Sequence, residues 1–561
     1  MGSTPTRGTK RLVSRINFGD KSTEGASDDY EFEKLLMVLK KFLAFSSTAM
    51  LLTLTLSFSA LAGTPTGAVK AALTQDQIKS DLGLLFTEAN AAGYYKPVFS
   101  GIIDYKTSIN YVAVLPNCKD DSSHPCVKSF DASTDNGINW ISASTSKTYV
   151  AKTFDQSKYP AGSYIVQTKN WLGDEKTLLP SGTDTSVYTF PKASHFGGSE
   201  YLLQPIVEGV SSNQIANAKA NKLSLSIIPI RTYEAPNPNN CSLWISTCFD
   251  LYHFDSSVSF RVVLDLKYLA PTFSGWFQSR IKNSEIAQLT STEFSFTGSA
   301  MAVSSVLAEF NKPYPDSLLI AYPNLKTGAA TTQFPIKLMQ VWSNTNSGIK
   351  EWINHESAIP KQANWESTIW TATSYSTTAS GYIYTQMNGC LQSSKGMLGQ
   401  VSTNATVYTI SAPLWDDSTD SLSFTIAAPS FESDGEKKQG LYDLVLREDI
   451  AKCLWGKDLT NTSAKIEILN VDGTSQVATT SFKKINGYIY FRSAGFHYSV
   501  PKIRVSLVQS LPSPTASPIA KSSSNKTTLE KRVTITCTSG KKIKKITGTK
   551  PVCPSGYKKK K

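Results

Sequence analysis

Beyond residue 96 the chain alternates between hydrophobic and polar residues with a period of two. Such runs lie at 222–233, 257–269, 421–427 and 464–469, and the apolar run at 317–322 (SLLIAY) is predicted to be another strand. Alternation of this kind puts one face of a strand on a core and the other in solvent. Turn-forming clusters rather than helices separate the runs. The pattern predicts an all-β protein with two or three antiparallel β-sandwich domains of the Ig-like type.

One stretch near the start of this region has helical periodicity instead. Residues 71–92 begin with Thr74 three positions before Gln77, which resembles a capping box. Ile78 and the leucines after it then follow at helical spacing, and a glycine ends the run. We therefore expect a short helical lead-in over residues 63–95.

The N-terminal region contains the parts of a secretory signal peptide. Two lysines precede the apolar, uncharged stretch 42–58, and residues 60–62 (ALA) form a small-x-small site. Cleavage after Ala62 would make 37–62 the signal peptide of a secreted or cell-surface protein, with membrane contact only during export. A retained membrane anchor is the alternative. Residues 1–36 are expected to be disordered or to lie upstream of the true start, with a genuine extended signal region as the alternative.

The other boundaries follow changes in pattern and composition. The segment rich in Pro, Ser and Thr before the C-terminus is a linker, because its composition cannot bury a core. The predicted order after the lead-in is a β-sandwich domain at 96–272, a second β domain at 273–384, a C-terminal β-sandwich module at 385–509, the linker at 510–530 and a basic tail at 531–561.

The net charge of +13 is concentrated in the tail. Residues 531–561 carry eleven Lys or Arg and no Asp or Glu, and residues 1–36 carry six charges of each sign, which leaves an excess of two for the rest. Nucleic-acid-binding domains spread basic charge over a folded face, so no nucleic acid is expected as a partner. A terminal block of like charge indicates an interaction tail for anionic envelope polymers, or else a solubilising tail. Its candidate binding residues are Lys541, Lys542, Lys544, Lys545, Lys558, Lys559, Lys560 and Lys561.

The eight cysteines are even in number, and an exported chain favours disulfides. Zinc is the alternative, but no CxxC occurs and the chain has only five His. Eight cysteines allow 105 connectivities. Sequence proximity favours the pairs Cys118–Cys126, Cys241–Cys248 and Cys537–Cys553, which leaves Cys390 with Cys453. The pair in the tail would hold a small basic hairpin.

Residues 133–140 (STDNGINW) match the Asp-box pattern, Ser-x-Asp-x-Gly-x-Thr-Trp, with Asn in place of Thr. Ser133 begins the pattern, Asp135 closes a hairpin turn on backbone amides, Gly137 takes a positive φ and Trp140 packs beneath. Sialidase-like propellers carry several copies together with catalytic arginines and acids, which cannot be mapped here. The expected role is a folding turn without chemistry.

No catalytic, cofactor-binding or metal-binding set is recognisable in the sequence. The acids within 416–420 and 432–436, and His195, His355 and His497, lack the spacing of known glycosidase, calcium or protease motifs. Aromatic residues on a β face can stack on sugar rings, which makes carbohydrate a second candidate partner, but they are also ordinary core residues. The tryptophans that sequence cannot sort are Trp244, Trp276, Trp342, Trp352, Trp365 and Trp370.

The C-terminal third resembles secreted actinobacterial proteins that share a β module and a Lys-rich tail with two cysteines. The tail matches through 535–537 (ITC), 550–557 (KPVCPSGY) and four terminal lysines. The module matches through pieces that include 440–444 (GLYDL) and 451–456 (AKCLWG). The resemblance covers roughly 385–561 and implies an extracellular protein of a Gram-positive-type cell, no particular activity, and a Cys390–Cys453 pair.

These features together predict a secreted, envelope-associated binding or structural protein, such as an adhesin or a surface-layer-like component. The cationic tail would retain it at the cell surface. An extracellular hydrolase acting on polysaccharide, retained by the same tail, is the alternative. Paired carboxylates in an aromatic-lined groove would favour that alternative.

Overall fold

The computed structural model describes most of the chain after residue 77. The described residues are 78–88, 101–105, 108–145, 170–214, 217–234, 247–327, 338–342, 348–356, 364–376, 387–509 without 388, 392, 393, 410, 433, 457, 458, 460, 461, 471 and 499–501, and 533–559 without 541, 549 and 550. The predicted leader, the predicted signal peptide and the whole predicted linker lie outside these ranges. Residues 64–561 group into one compact unit.

The described part of the chain is mostly β, as predicted, and the structure has 29 strands there. In chain order they are β1 Leu82–Thr87, β2 Gly101–Tyr105, β3 Ser108–Val114, β4 Cys126–Ser133, β5 Ile141–Ser142, β6 Ser144–Thr145, β7 Ser186–Thr189, β8 Glu200–Ser211, β9 Lys219–Glu234, β10 Thr247–Leu251, β11 Ser259–Asp265, β12 Ser274–Ser279, β13 Ile281–Gln288, β14 Glu293–Phe310, β15 Leu338–Trp342, β16 Asn364–Ser376, β17 Gly396–Thr403, β18 Val407–Tyr408, β19 Leu414–Asp416, β20 Ser421–Ala427, β21 Gln439–Arg447, β22 Thr462–Leu469, β23 Ser475–Gln476, β24 Thr479–Ile485, β25 Tyr488–His497, β26 Lys502–Gln509, β27 Val533–Ser539, β28 Lys542–Gly548 and β29 Lys558–Lys559.

Short helices connect some of these strands. They are α1 Asp316–Ala321, α2 Asn324–Thr327, α3 Gly348–His355 and α4 Glu448–Trp455, with 3-10 turns at Glu175–Thr177 and Lys267–Thr272. Among the described residues, no helix combines the length and apolar character needed to cross a membrane.

Twenty strands are hydrogen-bonded into one large sheet, because several long strands change neighbours along their length. The first half of β14 pairs with β11 and β13, and its second half pairs with β1 and β16. A second sheet has the order β18-β20-β26-β22-β23, with β19 also on β20, and the tail has the order β28-β27-β29.

The predicted helical lead-in is wrong where the structure describes it, because residues 82–87 form strand β1. This strand pairs antiparallel with β14 and parallel with β15. Leu82, Leu84, Leu85 and Phe86 are all fully buried, so both faces of the segment are covered. A short apolar run buried on both faces carries no period of two, and sequence periodicity cannot separate it from a buried helix.

The strand expected at 317–322 is also wrong, because α1 occupies Asp316–Ala321. Pro315 stands at the N-cap and Asp316 in the first turn, where a carboxylate is favoured by the helix dipole. Leu318 is buried while Ile320 is 75% exposed, so the segment covers the core with one side only.

The large sheet crosses both predicted boundaries near 272 and 384. Strand β12 pairs with β16 on one side and β17 on the other. Strand β16 also pairs with β9, which lies before residue 272. These positions therefore do not separate independent sheets.

Two large hydrophobic clusters hold the unit together. One lies beneath β4, β11 and β14 and contains Phe130, Phe260 and Phe296. The other joins strands of the large sheet to the second sheet, with Tyr442 of β21 and Phe424 of β20 among its members. The two sheets therefore share one core in the region of 385–509.

Candidate functional site

The basic tail is a small sheet closed by a disulfide. Strand β27 lies in the centre, with β28 and β29 paired antiparallel to its two edges. Cys537 is fully buried and bonded to Cys553. A loop of about 17 residues closed in this way is worth about 3 kcal/mol in the chain-entropy model. The tail therefore has a fixed backbone on which its lysines are displayed.

The described tail lysines project from both faces of this sheet. Lys544 and Lys559 lie opposite Cys537 on either side, which puts all three side chains on one face. Lys545 lies opposite Thr536 and Lys558 opposite Thr538, on the other face. All four lysines are exposed. Lys541, Lys560, Lys561 and the side chain of Lys542 lie outside the described residues.

The Asp-box turn has the hydrogen bonds that its pattern predicts. The Asn139 N–H donates to Asp135 Oδ1 (2.9 Å), and the Gly137 N–H donates to Ser133 Oγ (2.9 Å). Gly137 has φ +84°, and a Cβ there would lie 3.3 Å from Trp140 Cζ2. Hydrogen bonds that Asp135 accepts, from the Asn139 N–H first and then from the Ser133 hydroxyl, lower its pKa to about 2. The turn therefore holds Trp140 in place.

This turn borders an open hollow of about 560 Å³ on the outer face of the sheet. We call it the trough: its floor is formed by Ser259, Thr297 and Ser299, with the turn at one side and β13 at the other. Ser259 pairs in register with Ser299, and their Oγ atoms lie 2.8 Å apart. Because these side chains are small and the alternate residues face the core, the sheet leaves space above its surface.

Each wall of the trough carries a charge that is paired with an opposite one. Arg261 donates from Nη2 to Asp131 Oδ2 (3.1 Å), and its guanidinium carbon lies 4.5 Å from the Trp140 ring centroid. On the far wall, Glu285 Oε1 accepts from Lys483 Nζ (2.8 Å). A break in the register of β13 between Lys282 and Glu285, where Asn283 has φ +55°, brings this wall above the floor.

A second hollow of about 230 Å³ shares Asn283 and Arg492 with the trough and extends it over β21, β24 and β25. Asp443 lies there, with Oδ2 3.7 Å from Arg492 Nε. Burial raises the pKa of Asp443 to about 6, against the opposing effect of Arg492. Arg492 also donates from Nη2 to the Ser284 carbonyl (2.8 Å).

The tryptophans now separate into core and surface. Trp276, Trp352 and Trp370 are buried in the core, so they cannot stack on a ligand. Trp365 is half-buried. The side chains of Trp244 and Trp342 lie outside the described residues. Trp140, which the sequence presented only as a turn residue, is the one that lines the trough.

The acids and histidines singled out by sequence have structural partners or are exposed. Asp416 Oδ1 accepts from Ser418, Glu432 forms an ion pair with Lys438, and His195 lies between the Gly197 N–H and the Glu200 carbonyl. His355 stacks on Tyr322, and His497 is exposed. Within the described ranges, no three His, Cys, Asp or Glu side chains are grouped to hold a metal ion.

Three disulfides are formed in the described part: Cys118–Cys126, Cys390–Cys453 and Cys537–Cys553. They are the pairs that sequence proximity favoured for these residues. The structure does not describe the predicted Cys241–Cys248 pair, because Cys241 and the side chain of Cys248 lie outside the described residues. The bonds are consistent with an extracellular protein.

Sequence reasoning did not bring Arg261, Asn283, Glu285 and Arg492 together. Alternation along β11 does place Ser259 and Arg261 on one face, so this part of the floor could be predicted from the sequence. The break in β13 and the position of β25 beside it could not be predicted, because each depends on the register between strands that are distant in sequence.

No family model, curated protein or solved structure matches the chain. The resemblance of residues 385–561 to secreted actinobacterial proteins therefore stays a prediction.

Proposed function

We propose that this protein is an exported, non-enzymatic binding protein that stays at the cell envelope through its cationic tail. Residues 37–62 would direct export, and Ig-like sandwich domains in an adhesin or surface-layer-like arrangement would face outward. The tail would bind anionic envelope polymers such as teichoic acids.

The observation that carries this proposal is the display of lysines on the tail sheet. Lys544, Lys545, Lys558 and Lys559 are exposed on both faces, and the tail has no acidic residue to neutralise them. Because the Cys537–Cys553 bond fixes the strands, these charges stay close together without a further entropic cost. A concentrated positive field attracts a polyanion and weakens with added salt.

The attraction to polyanions can be tested with beads that carry a teichoic acid and with the same beads without a polymer. The variant Lys544→Gln/Lys545→Gln/Lys558→Gln/Lys559→Gln removes the described tail charges. The matched control removes four exposed lysines of the body, by which we mean the chain between the signal peptide and the linker. It is Lys192→Gln/Lys326→Gln/Lys452→Gln/Lys502→Gln.

We expect the native protein and the body control to bind the teichoic acid beads alike. At about 1 kcal/mol per lysine near an anionic surface, the tail variant should bind roughly 100-fold or more weakly at low salt. Equal binding by all three proteins, or equal binding to the beads without a polymer, would contradict the proposal.

A further inference from the structure

We propose that the trough is a binding site for a neutral polysaccharide chain. The proposal concerns the body of the protein and does not depend on the function of the tail. It is carried by the shape of the trough, by the kind of side chains that line it and by the way their charges are balanced.

The size and lining of the trough suit a polar ligand. Its volume of about 560 Å³ falls in the range of sites for small molecules and short oligomers. Sites for apolar ligands are lined mainly by hydrophobic side chains, whereas this floor is made of Ser259, Thr297 and Ser299. The hydroxyls both donate and accept hydrogen bonds, as the hydroxyls of a sugar do.

One aromatic ring stands beside these polar groups. Trp140 is half-buried. It packs against Gly137 of the Asp-box turn and against the guanidinium of Arg261. A pyranose ring has apolar C–H faces between its hydroxyls, and an indole offers both an apolar surface and an N–H. A tryptophan fixed before the ligand arrives loses little entropy when it binds.

The charged groups favour a neutral ligand over an ionic one. Arg261 faces Asp131, Glu285 faces Lys483, and Arg492 lies near Asp443. Each charge is compensated, so the trough attracts neither polyanions nor polycations strongly. Ionised donors and acceptors at fixed positions still form strong hydrogen bonds with hydroxyl groups.

The trough also has room for more than one sugar unit. The second hollow, of about 230 Å³, continues from Asn283 and Arg492 toward Thr479 and Ser481. Thr479, Ser481 and Ser493 supply hydroxyls there and Asp443 a carboxylate, while Lys282, Met301, Leu441 and Ala494 complete the lining. A sugar chain that continues from the trough would therefore meet polar groups for its hydroxyls and apolar groups for its C–H faces.

The test uses the full exported chain and titration calorimetry against neutral hexasaccharides of glucose, xylose, mannose and N-acetylglucosamine, together with the neutral polysaccharide extracted from an envelope. Trp140→Ala should weaken binding by about tenfold or more, as expected for a central aromatic contact. Trp415→Ala is the matched control, because Trp415 is also half-buried but lies on β19 of the other sheet. It should leave binding unchanged.

A second pair of variants keeps the test decisive if Trp140→Ala fails to fold. Thr297→Tyr fills the trough from its floor and should abolish binding. Thr480→Tyr, which alternation places on the opposite face of β24 from the second hollow, should not. The tail variant with four glutamines should bind these saccharides like the native protein, which separates this site from the tail.

The proposal is overturned if no hexasaccharide and no neutral polysaccharide binds, or if Thr297→Tyr and Thr480→Tyr bind alike. New reducing ends that appear with the native protein and disappear with Glu285→Gln or Asp443→Asn would also overturn it, since the trough would then be a catalytic cleft rather than a binding site.

Discussion

A buried ion pair joins the end of strand β1 to the large sheet, and removing this ion pair tests the position of the strand. Arg280 is fully buried and donates from Nη2 and Nε to Glu88 Oε2 (3.0 and 3.2 Å). Its Nη1 donates to the Thr403 carbonyl (2.5 Å), and its guanidinium carbon lies 4.5 Å from the Tyr408 ring centroid. Glu88 directly follows β1, so the pair forms only when that strand is in the sheet.

We predict that Glu88→Ala lowers the free energy of unfolding by about 3–5 kcal/mol, because it leaves the Arg280 guanidinium buried without a counter-charge. The double variant Glu88→Leu/Arg280→Met should recover much of this loss, since it removes both charges. Glu309→Ala is the matched control: Glu309 pairs with Gly83 of β1 but is exposed, so its loss should stay below about 0.5 kcal/mol.

The assay is urea unfolding followed by tryptophan fluorescence, at low and at high salt. The loss in Glu88→Ala should be the same at both, because a buried pair is poorly screened. If Glu88→Ala is no more destabilising than Glu309→Ala, or if its effect vanishes in high salt, Glu88 is at the surface and the position of β1 is wrong.

Three further predictions concern other parts of the unit. Gly182→Ala should cost about 1–3 kcal/mol in urea unfolding, because its Cβ would lie 2.4 Å from the Trp171 ring while the two backbones are hydrogen-bonded to each other. A loss below about 0.5 kcal/mol would contradict this close approach. Replacing Cys390 and Cys453 by Ala should cost about 4 kcal/mol, as expected for a closed loop of this length, and reductant should then destabilise this variant less than it destabilises the native protein. Burial raises the pKa of Asp443 from its ordinary value of 3.8 to about 6. The contribution of Asp443 to the free energy of unfolding is therefore complete below pH 4 and is lost as the pH rises through 6. Asp443→Asn should therefore gain stability relative to the native protein by up to about 3 kcal/mol between pH 4 and pH 7, and a constant difference would show that Asp443 is solvated.

The strands with strict alternation could be predicted from the sequence. The run at 421–427 is β20 to the residue, and 464–469 lies within β22. In both strands the side-chain period of two fixes which face packs on the core, so the hydrophobic pattern is enough to predict the strand and its orientation.

The segments that could not be predicted depend on contacts between distant residues. β1 is a strand because β14 and β15 cover its two edges and both of its faces are buried, and nothing within 82–87 states this. The helix at Asp316–Ala321 carried a local signal in Pro315 and Asp316, which the apolar composition of 317–322 outweighed. At the candidate site, the sequence predicted the Asp-box turn and the lysines of the tail, but it did not predict the trough.

In the proposed function, charge on the tail holds the protein at the envelope. The most direct measurement is the binding of two purified proteins, residues 63–561 and residues 63–528, to isolated cell envelopes over a salt series. We predict that the longer protein binds far more strongly at low salt and that rising salt removes the difference between the two proteins, because screening weakens the attraction between the lysines and anionic polymers. Equal binding of both proteins, insensitive to salt, would contradict the account and leave the trough as the remaining point of attachment.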